Sequence, residues 1–214
     1  MNLPIFPLKL IVFPGEQVNL HVFEERYREL FNDLRSDENL FFGIPPVINN
    51  EIHPVGTRLK LLQIVKEYES GEMDVITEGM DVFTIEDLQT NFVNKTYAGA
   101  KVELMEDDPA YDIIKFEQLQ DHYEEFQSLL TQRKEIKNVN PNKYSFQIAH
   151  YSGLSEEQKI ALLATPSENE RQEIMIAHFK KIMPSMQHIQ ETQRRIVANG
   201  HFKNLHSFNF NKPG

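Results

Sequence analysis

Eight histidines, at positions 21, 53, 122, 150, 178, 188, 201 and 206, have the widest chemical repertoire of any side chains in this sequence. Imidazole can ligate a metal or carry a proton near neutral pH, but metal chemistry also needs spacing. No His-Glu-x-x-His occurs to place two ring nitrogens on one helical face, and His201 and His206 read as a solvated pair. A serine nucleophile needs a Gly-x-Ser-x-Gly turn to present its hydroxyl; Gly153 follows Ser152 without the flanking glycine. The nine glycines are scattered, so neither a G-x-x-x-x-G-K-[ST] phosphate loop nor a G-x-G-x-x-G fingerprint is present. With no cysteine, thiolate catalysis, disulfides and cysteine zinc sites are excluded. The acidic run "MEDDPAYD", residues 105 to 112, lacks the alternating oxygen ligands and central glycine of an EF-hand and reads as a linker. Carboxylate pairs abound, but a catalytic pair is defined by separation in space. The expectation is a chain that is not an enzyme, with no cofactor and no metal site.

The elements that would position any site change character partway along. "LPIFPLKLIVFPG", Leu3 to Gly15, carries eight large apolar residues broken by prolines at 4, 7 and 14, with Lys9 as its one charge. An export signal wants basic residues first and an unbroken apolar helix. Two extended pieces, Leu3 to Leu8 and Leu10 to Phe13, fit an edge strand instead. "QVNLHV" alternates as a half-buried strand. Phe23, Tyr27, Leu30, Phe31 and Leu34 then line one face of a helix. "LFFGIPPV" reads as a strand closed by two prolines. Segments 58–68 and 72–80 read as a hairpin around Ser70-Gly71, with Gly79 marking a bulge or bend. "VFTIEDL" and "YAGAKVELM" predict two more strands.

Near Asp108 the apolar period shifts from two to about three and a half. A long helix is expected from Tyr111 to about Lys137, with Ile113, Phe116, Leu119, Tyr123, Phe126 and Leu130 on one side. A short helix follows around Tyr144 to Tyr151. Capping-box spacings at Ser155 with Gln158 and Ser167 with Glu170 announce two further helices. The last carries Met175, Phe179, Ile182, Met186, Ile189 and Ile196 at coiled-coil steps, with a kink expected at Pro184. The reading is α+β: a β-rich body over 1–108 with one packed helix, a helical part over 109–198, and a flexible tail over 199–214.

Charge follows the same division. Residues 1–108 hold 9 Lys and Arg against 20 Asp and Glu, residues 109–214 hold 13 against 12, and the whole chain is at -10. An acidic β-rich half repels a polyanion, which argues against nucleic acid. No apolar run approaches the ~20 residues of a membrane span. The absence of cysteine and of a targeting segment points to a reducing cytoplasm.

"LPIFPLKLIVFPGEQVNLHVFEERYRELFNDL" resembles the opening of the amino-terminal, substrate-binding domain of Lon ATP-dependent proteases, through Pro7, Leu8, Lys9, Val12, Phe13 and Pro14. "VGTRLKLLQIVKEYESGEMDVITEGMDVFTI" is similar to that domain's later hairpin, opened by Val55, Gly56 and Thr57 and bent at Glu78 and Gly79. "SEEQKIALLATPSENERQEIMIAHF" resembles its helical segment. The sequence departs from the family at Asn19, where many members have a second proline, and at Val82 and Thr84, where an arginine is often found. The resemblance covers nearly all of residues 1–198 and includes neither the ATPase nor the Ser-Lys peptidase domain. It implies a PUA-like β pseudo-barrel followed by a helical bundle with a long C-terminal helix. The implied role is a non-catalytic module that captures unfolded or apolar client polypeptide or acts as an adaptor, with a protease or ATPase as a further partner.

Candidate protein-binding residues are Phe23, Glu25 and Arg26 at the strand-to-helix junction, and Phe41 and Phe42 beside the proline turn: apolar anchors with a polar rim. The alternative places Phe23 and one of Phe41 and Phe42 in the core. RNA binding, known for PUA-like barrels, is disfavoured by the charge; an enzyme with an unrecognised pocket is the remaining alternative. The stripe of the last helix would serve equally as a core seam or as a homodimer seam.

Overall fold

The computed structural model describes residues 1–89, 92 and 94–205, with side chains to residue 197. Its sheet is antiparallel and open, and its longest strands are the hairpin read from the sequence. Strands β1 (Asn2–Pro4) and β2 (Gln17–Val22) precede helix α1 (Glu25–Ser36). Short strands β3 (Phe42–Ile44), β4 (Val47–Ile48) and β5 (Glu51–Ile52) lead into the long pair β6 (Val55–Glu67) and β7 (Met73–Gln89), and β8 (Gly99–Leu104) completes the sheet. The order is β1-β8-β7-β6-β3, with β2 also paired to β7; β4 and β5 form a separate two-stranded ribbon. Gly71 turns the hairpin at φ +84°, in the left-handed region that glycine enters without Cβ strain.

Gly79 marks a bulge as expected: Arg58 faces Asp81 and Leu59 faces Gly79, leaving Met80 unpaired. Two more offsets fall between Leu61 and Gln63 and between Ile64 and Lys66. A bulge adds twist, and this twist lets β7 pair β2 along its first half and β8 along its second. The predicted strand "VFTIEDL" is therefore the far half of the 17-residue β7 rather than a separate element.

The opening stretch is less regular than expected. Only Asn2–Pro4 joins the ladder; Ile5 and Leu8 make single parallel bridges, and Leu10 to Phe13 form no strand. Prolines without N–H donors limit pairing here. Ile11 and Phe13 instead turn their side chains into the core shared with the helices.

Helix α2 (Ile113–Ser128) begins at Asp112, whose carboxylate accepts from the N–H groups of Ile114 and Lys115. It ends nine residues before the expected Lys137. Gln127, buried on α2, accepts from the N–H of Lys134 at 2.7 Å and donates to the Tyr151 carbonyl at 2.9 Å, so the chain is held in a loop. Phe116, Leu119, Tyr123 and Phe126 are buried, whereas Ile113 is exposed. After α3 (Tyr144–Ile148) and a 3-10 turn, α4 (Glu156–Leu163) starts on the Ser155–Gln158 capping box, with both reciprocal bonds made. Helix α5 (Glu168–Leu205) contains Pro184 and runs past residue 198, where a tail was expected; residues 206–214 lie outside the described residues. The hydroxyl of Ser167, read as a cap, points to Asp108 at 3.4 Å.

Three apolar clusters hold the molecule together. One joins α1 to the sheet and contains Tyr27, Leu30, Phe31, Phe42, Leu59 and Val75. A second lies around Phe83 between β1 and β8. The third includes Ile11, Phe13 and Val82 from the β-rich half together with Leu119, Phe126, Phe146, Met175 and Phe179 from the helices, so the two halves share a continuous core. Beside it a buried polar pin closes the junction. Arg171 of α5, 1% exposed, pairs with Glu168 at 3.0 Å and Asp107 at 2.9 Å, and its guanidinium carbon lies 4.1 Å from the Phe146 ring centroid. Glu168 in turn accepts from the N–H and hydroxyl of Ser145.

Candidate functional site

The turn end of the β6–β7 hairpin is a three-stranded ribbon in which β7 is flanked by β2 and β6. On the inner face Val75 lies between Leu20 and Ile64, and the buried Met73 and Val75 join the cluster under α1. On the outer face Asp74 lies between His21 and Lys66. Asp74 acts as the clasp: His21 Nδ1 is 2.7 Å from one carboxylate oxygen, and the Tyr68 hydroxyl donates to the other at 2.8 Å. Those two hydrogen bonds, His21 first, hold the Asp74 carboxyl below the usual carboxylate range. Arg28 and Arg35 of α1 reach the Ser70 carbonyl and Glu67, tying the helix to the turn.

Beyond its pairing with β3, which ends at Leu59, β6 has no partner on its second edge among the described residues. From Lys60 to Ile64 that edge borders a groove of about 480 Å³ against the end of α1, with Leu34, Leu40, Leu61, Leu62 and Ile64 in its walls beside Arg35 and Glu38. Leu62 and Val65 are the residues skipped at the two outer bulges, and they are 43% and 55% exposed. An unpaired edge presents backbone donors and acceptors to any extended chain that approaches. The exposed leucine and valine add apolar contact.

The five residues singled out in the sequence do not form one patch. Phe23 is 60% exposed at the β2–α1 junction, its ring stacked on His21 at 6.2 Å between centroids. It precedes α1 and is not part of the helix's buried face, as the periodicity had suggested. Glu25 is exposed in the first turn. Arg26 is exposed but engaged, paired with Glu24 at 2.7 Å and stacked on Tyr27. Phe41 is half-buried beneath the Arg58 guanidinium, 4.4 Å from the ring centroid.

Phe42 is a correction: it is fully buried, in edge contact with Phe31 at 5.3 Å, and presents nothing to a partner. Adjacent strand residues face opposite sides, and the pairing of Phe42 with Leu59 turns it inward. Leu62 and Val65 were missed because they sit within a strand that otherwise reads as half-buried. The unpaired edge depends on where β3 stops, which no local pattern encodes.

A second concavity, about 570 Å³, lies where the turn at Gly15 meets the loop after α2. Phe13, stacked on Phe146 at 5.4 Å and met edge-on by His150, forms its floor with Tyr151. Glu16 accepts from the Phe13 N–H at 2.9 Å and sits 3.1 Å from His150 Nε2. Lys134, Lys137 and Lys143 line the walls.

Among the described residues no group of three or more His, Asp and Glu is placed to hold a metal, and no helix is long and apolar enough to cross a membrane. Residues 2–181 match the family model described as the ATP-dependent protease La (LON) substrate-binding domain. A Lon N-terminal domain protein from Xanthomonas campestris has a similar fold, with TM-score 0.65 at 22% identity over 83% of this chain and 98% of the other. The N-terminal domain of the Mycobacterium avium complex Lon protease is similar with TM-score 0.62 at 16% identity, over 84% of this chain and 98% of the other. No curated protein sequence matches the chain.

Proposed function

The chain belongs to the family of Lon substrate-binding domains, and from that membership we propose that it captures extended apolar segments of client polypeptides at the turn end of the β6–β7 hairpin. The observation that carries this reading is the edge of β6 that has no partner among the described residues, beside a groove under α1 lined by leucines and by Arg35, Glu38 and Lys60. Backbone groups of the edge pair with a client's main chain, and Leu34, Leu40 and Leu61 receive its side chains. Peptide capture by strand addition draws affinity from such main-chain bonds and selectivity from pockets for alternate residues. The two bulges keep each paired run short, so capture is weak and reversible. Phe23 extends the apolar surface on the far side of the ribbon, across β7 and β2.

Hot-spot contacts are few, so a double substitution of exposed residues tests the site without disturbing the core. Fluorescence anisotropy with a permanently unfolded protein should show the Leu62→Ser/Val65→Ser variant binding about fivefold to tenfold more weakly, with its melting temperature unchanged. Undiminished binding by that variant removes the hairpin end from the proposal. Affinity at this site should change little between ~50 and ~200 mM salt, unlike a phosphate-binding surface.

A further inference from the structure

We infer that the cleft between the Gly15 turn and the loop after α2 is a second binding site, selective for acidic segments of polypeptide. The inference rests on the polypeptide-binding reading and adds a charge preference at a separate place. Three ammonium groups, Lys134, Lys137 and Lys143, line the cleft, against the carboxylates of Glu16 and Glu135. Glu16 is already committed to the Phe13 N–H and to His150.

Some lysines elsewhere pair with nearby carboxylates, Lys95 with Asp33, Lys101 with Glu86 and Lys115 with Glu173, whereas Lys66 beside Asp74 does not. The three cleft lysines take part in no ion pair among the described residues. The surrounding sequence is locally basic in an acidic chain: residues 133–143 hold Arg133 and three lysines with Glu135 as their one acid, while the chain as a whole is at -10.

Local and global charge together select the ligand. A long polyphosphate samples the field of the whole molecule, which is repulsive. A short acidic segment reaches into the cleft and meets the lysines at close range, where attraction exceeds the screened repulsion of distant carboxylates. The floor of Phe13, Phe146, His150 and Tyr151 offers apolar contact for a neighbouring side chain. The walls are fixed from behind: the Tyr123 hydroxyl donates to the Lys134 carbonyl at 2.9 Å, and Lys134 Nζ lies 5.0 Å from the Tyr151 ring centroid.

The test uses three labelled peptides of one length and one apolar content, carrying Asp, Asn or Lys at the variable positions. The whole chain should bind the Asp peptide about tenfold more tightly than the Asn peptide, the sum of several partly exposed pairs. The Lys134→Gln/Lys137→Gln/Lys143→Gln variant should lose that difference while keeping the affinity for the Asn peptide. If the triple variant melts early, Lys134→Gln/Lys137→Gln, both exposed, should still reduce the preference about threefold. An acidic preference that survives these substitutions overturns the site. Equal binding of the Asp and Asn peptides by the unaltered chain overturns the charge selectivity but leaves the hairpin proposal standing. Failure of all three peptides to bind overturns both. Single-stranded RNA that binds the chain and is released by the triple substitution overturns the assignment to polypeptide.

Discussion

The junction between the two halves and the turn end of the hairpin invert the usual partition of residues. At the junction a guanidinium and a carboxylate, Arg171 and Glu168, are withdrawn from water; at the hairpin end Phe23, Leu62 and Val65 stand in it. The buried charges are tolerated because they are paired and hydrogen-bonded: Arg171 reaches Glu168, Asp107, Ser145 and the carbonyls of Thr165 and Pro166. The exposed side chains have no such local explanation, since nothing among the described residues covers them. Where charged groups are buried against charged partners, the fold is being specified, even though Arg171 Nη2 is left without a hydrogen bond. Where apolar groups are left exposed beside unpaired backbone, a surface is kept for something else.

The largest effect should come from breaking the junction. Arg171→Ala leaves Glu168 buried and uncompensated and should cost about 3–5 kcal/mol, read from the urea midpoint. The double variant Arg171→Met/Glu168→Gln should lose clearly less, because no lone charge remains. A double variant as unstable as the single one would mean that packing around the Phe146 ring, not charge, closes the junction.

The comparison sharpens at two phenylalanines that look alike in sequence. Phe42→Ala opens a cavity in the α1 cluster and should cost about 3–5 kcal/mol. Phe23→Ala should change stability by no more than about 0.5 kcal/mol while weakening capture of unfolded protein. Measuring melt and binding on both variants decides whether the two residues divide fold and function in this way.

The smallest effect appears only in alkali. Burial pushes the Tyr123 phenol up to about 12, and Tyr144 is raised further by the same cause. An ordinary phenol titrates near 10. The folded state thus favours the neutral form, and this contribution is complete below about pH 10. As pH climbs through the folded values it is lost, because the unfolded chain ionises first. Burial raises Tyr27 and Tyr97 of the α1 cluster as well, so the helical half and the α1 cluster should loosen together as pH climbs above about 10. Phenolate absorbance followed with amide exchange checks this; loss of one region well before the other would confine the effect to that region.

Features set by short-range chemistry were legible in the sequence. The hairpin turn at Ser70-Gly71, the bulge at Gly79 and the Ser155–Gln158 cap depend on a few adjacent residues, and each is found where it was read. The errors lie where long-range partners decide. Phe42, offered as a contact residue with the core as its alternative, lies in the core because its facing depends on register with Leu59, a strand away. The end of α2 was set too late because Gln127 captures Lys134, which helical periodicity cannot signal. "SENERQE" reads only as a capping-box start of a helix, yet it supplies Glu168, Arg171 and Gln172, all buried. Of the expected contact residues, Phe23 and its charged neighbours are at the surface, and the open edge of β6 was not foreseen at all.

An edge that accepts foreign strands would also accept its own copy, and a concentrated solution of such molecules would zip into fibres. The skipped residues at Leu62 and Val65 interrupt the hydrogen-bonding rhythm twice within eight residues, and Lys60 and Lys66 set like charges against each other whenever two edges meet. Irregularity here is a safeguard of colloidal stability. Straightening β6 at its skipped residues would make the proposed client edge a template for its own copies.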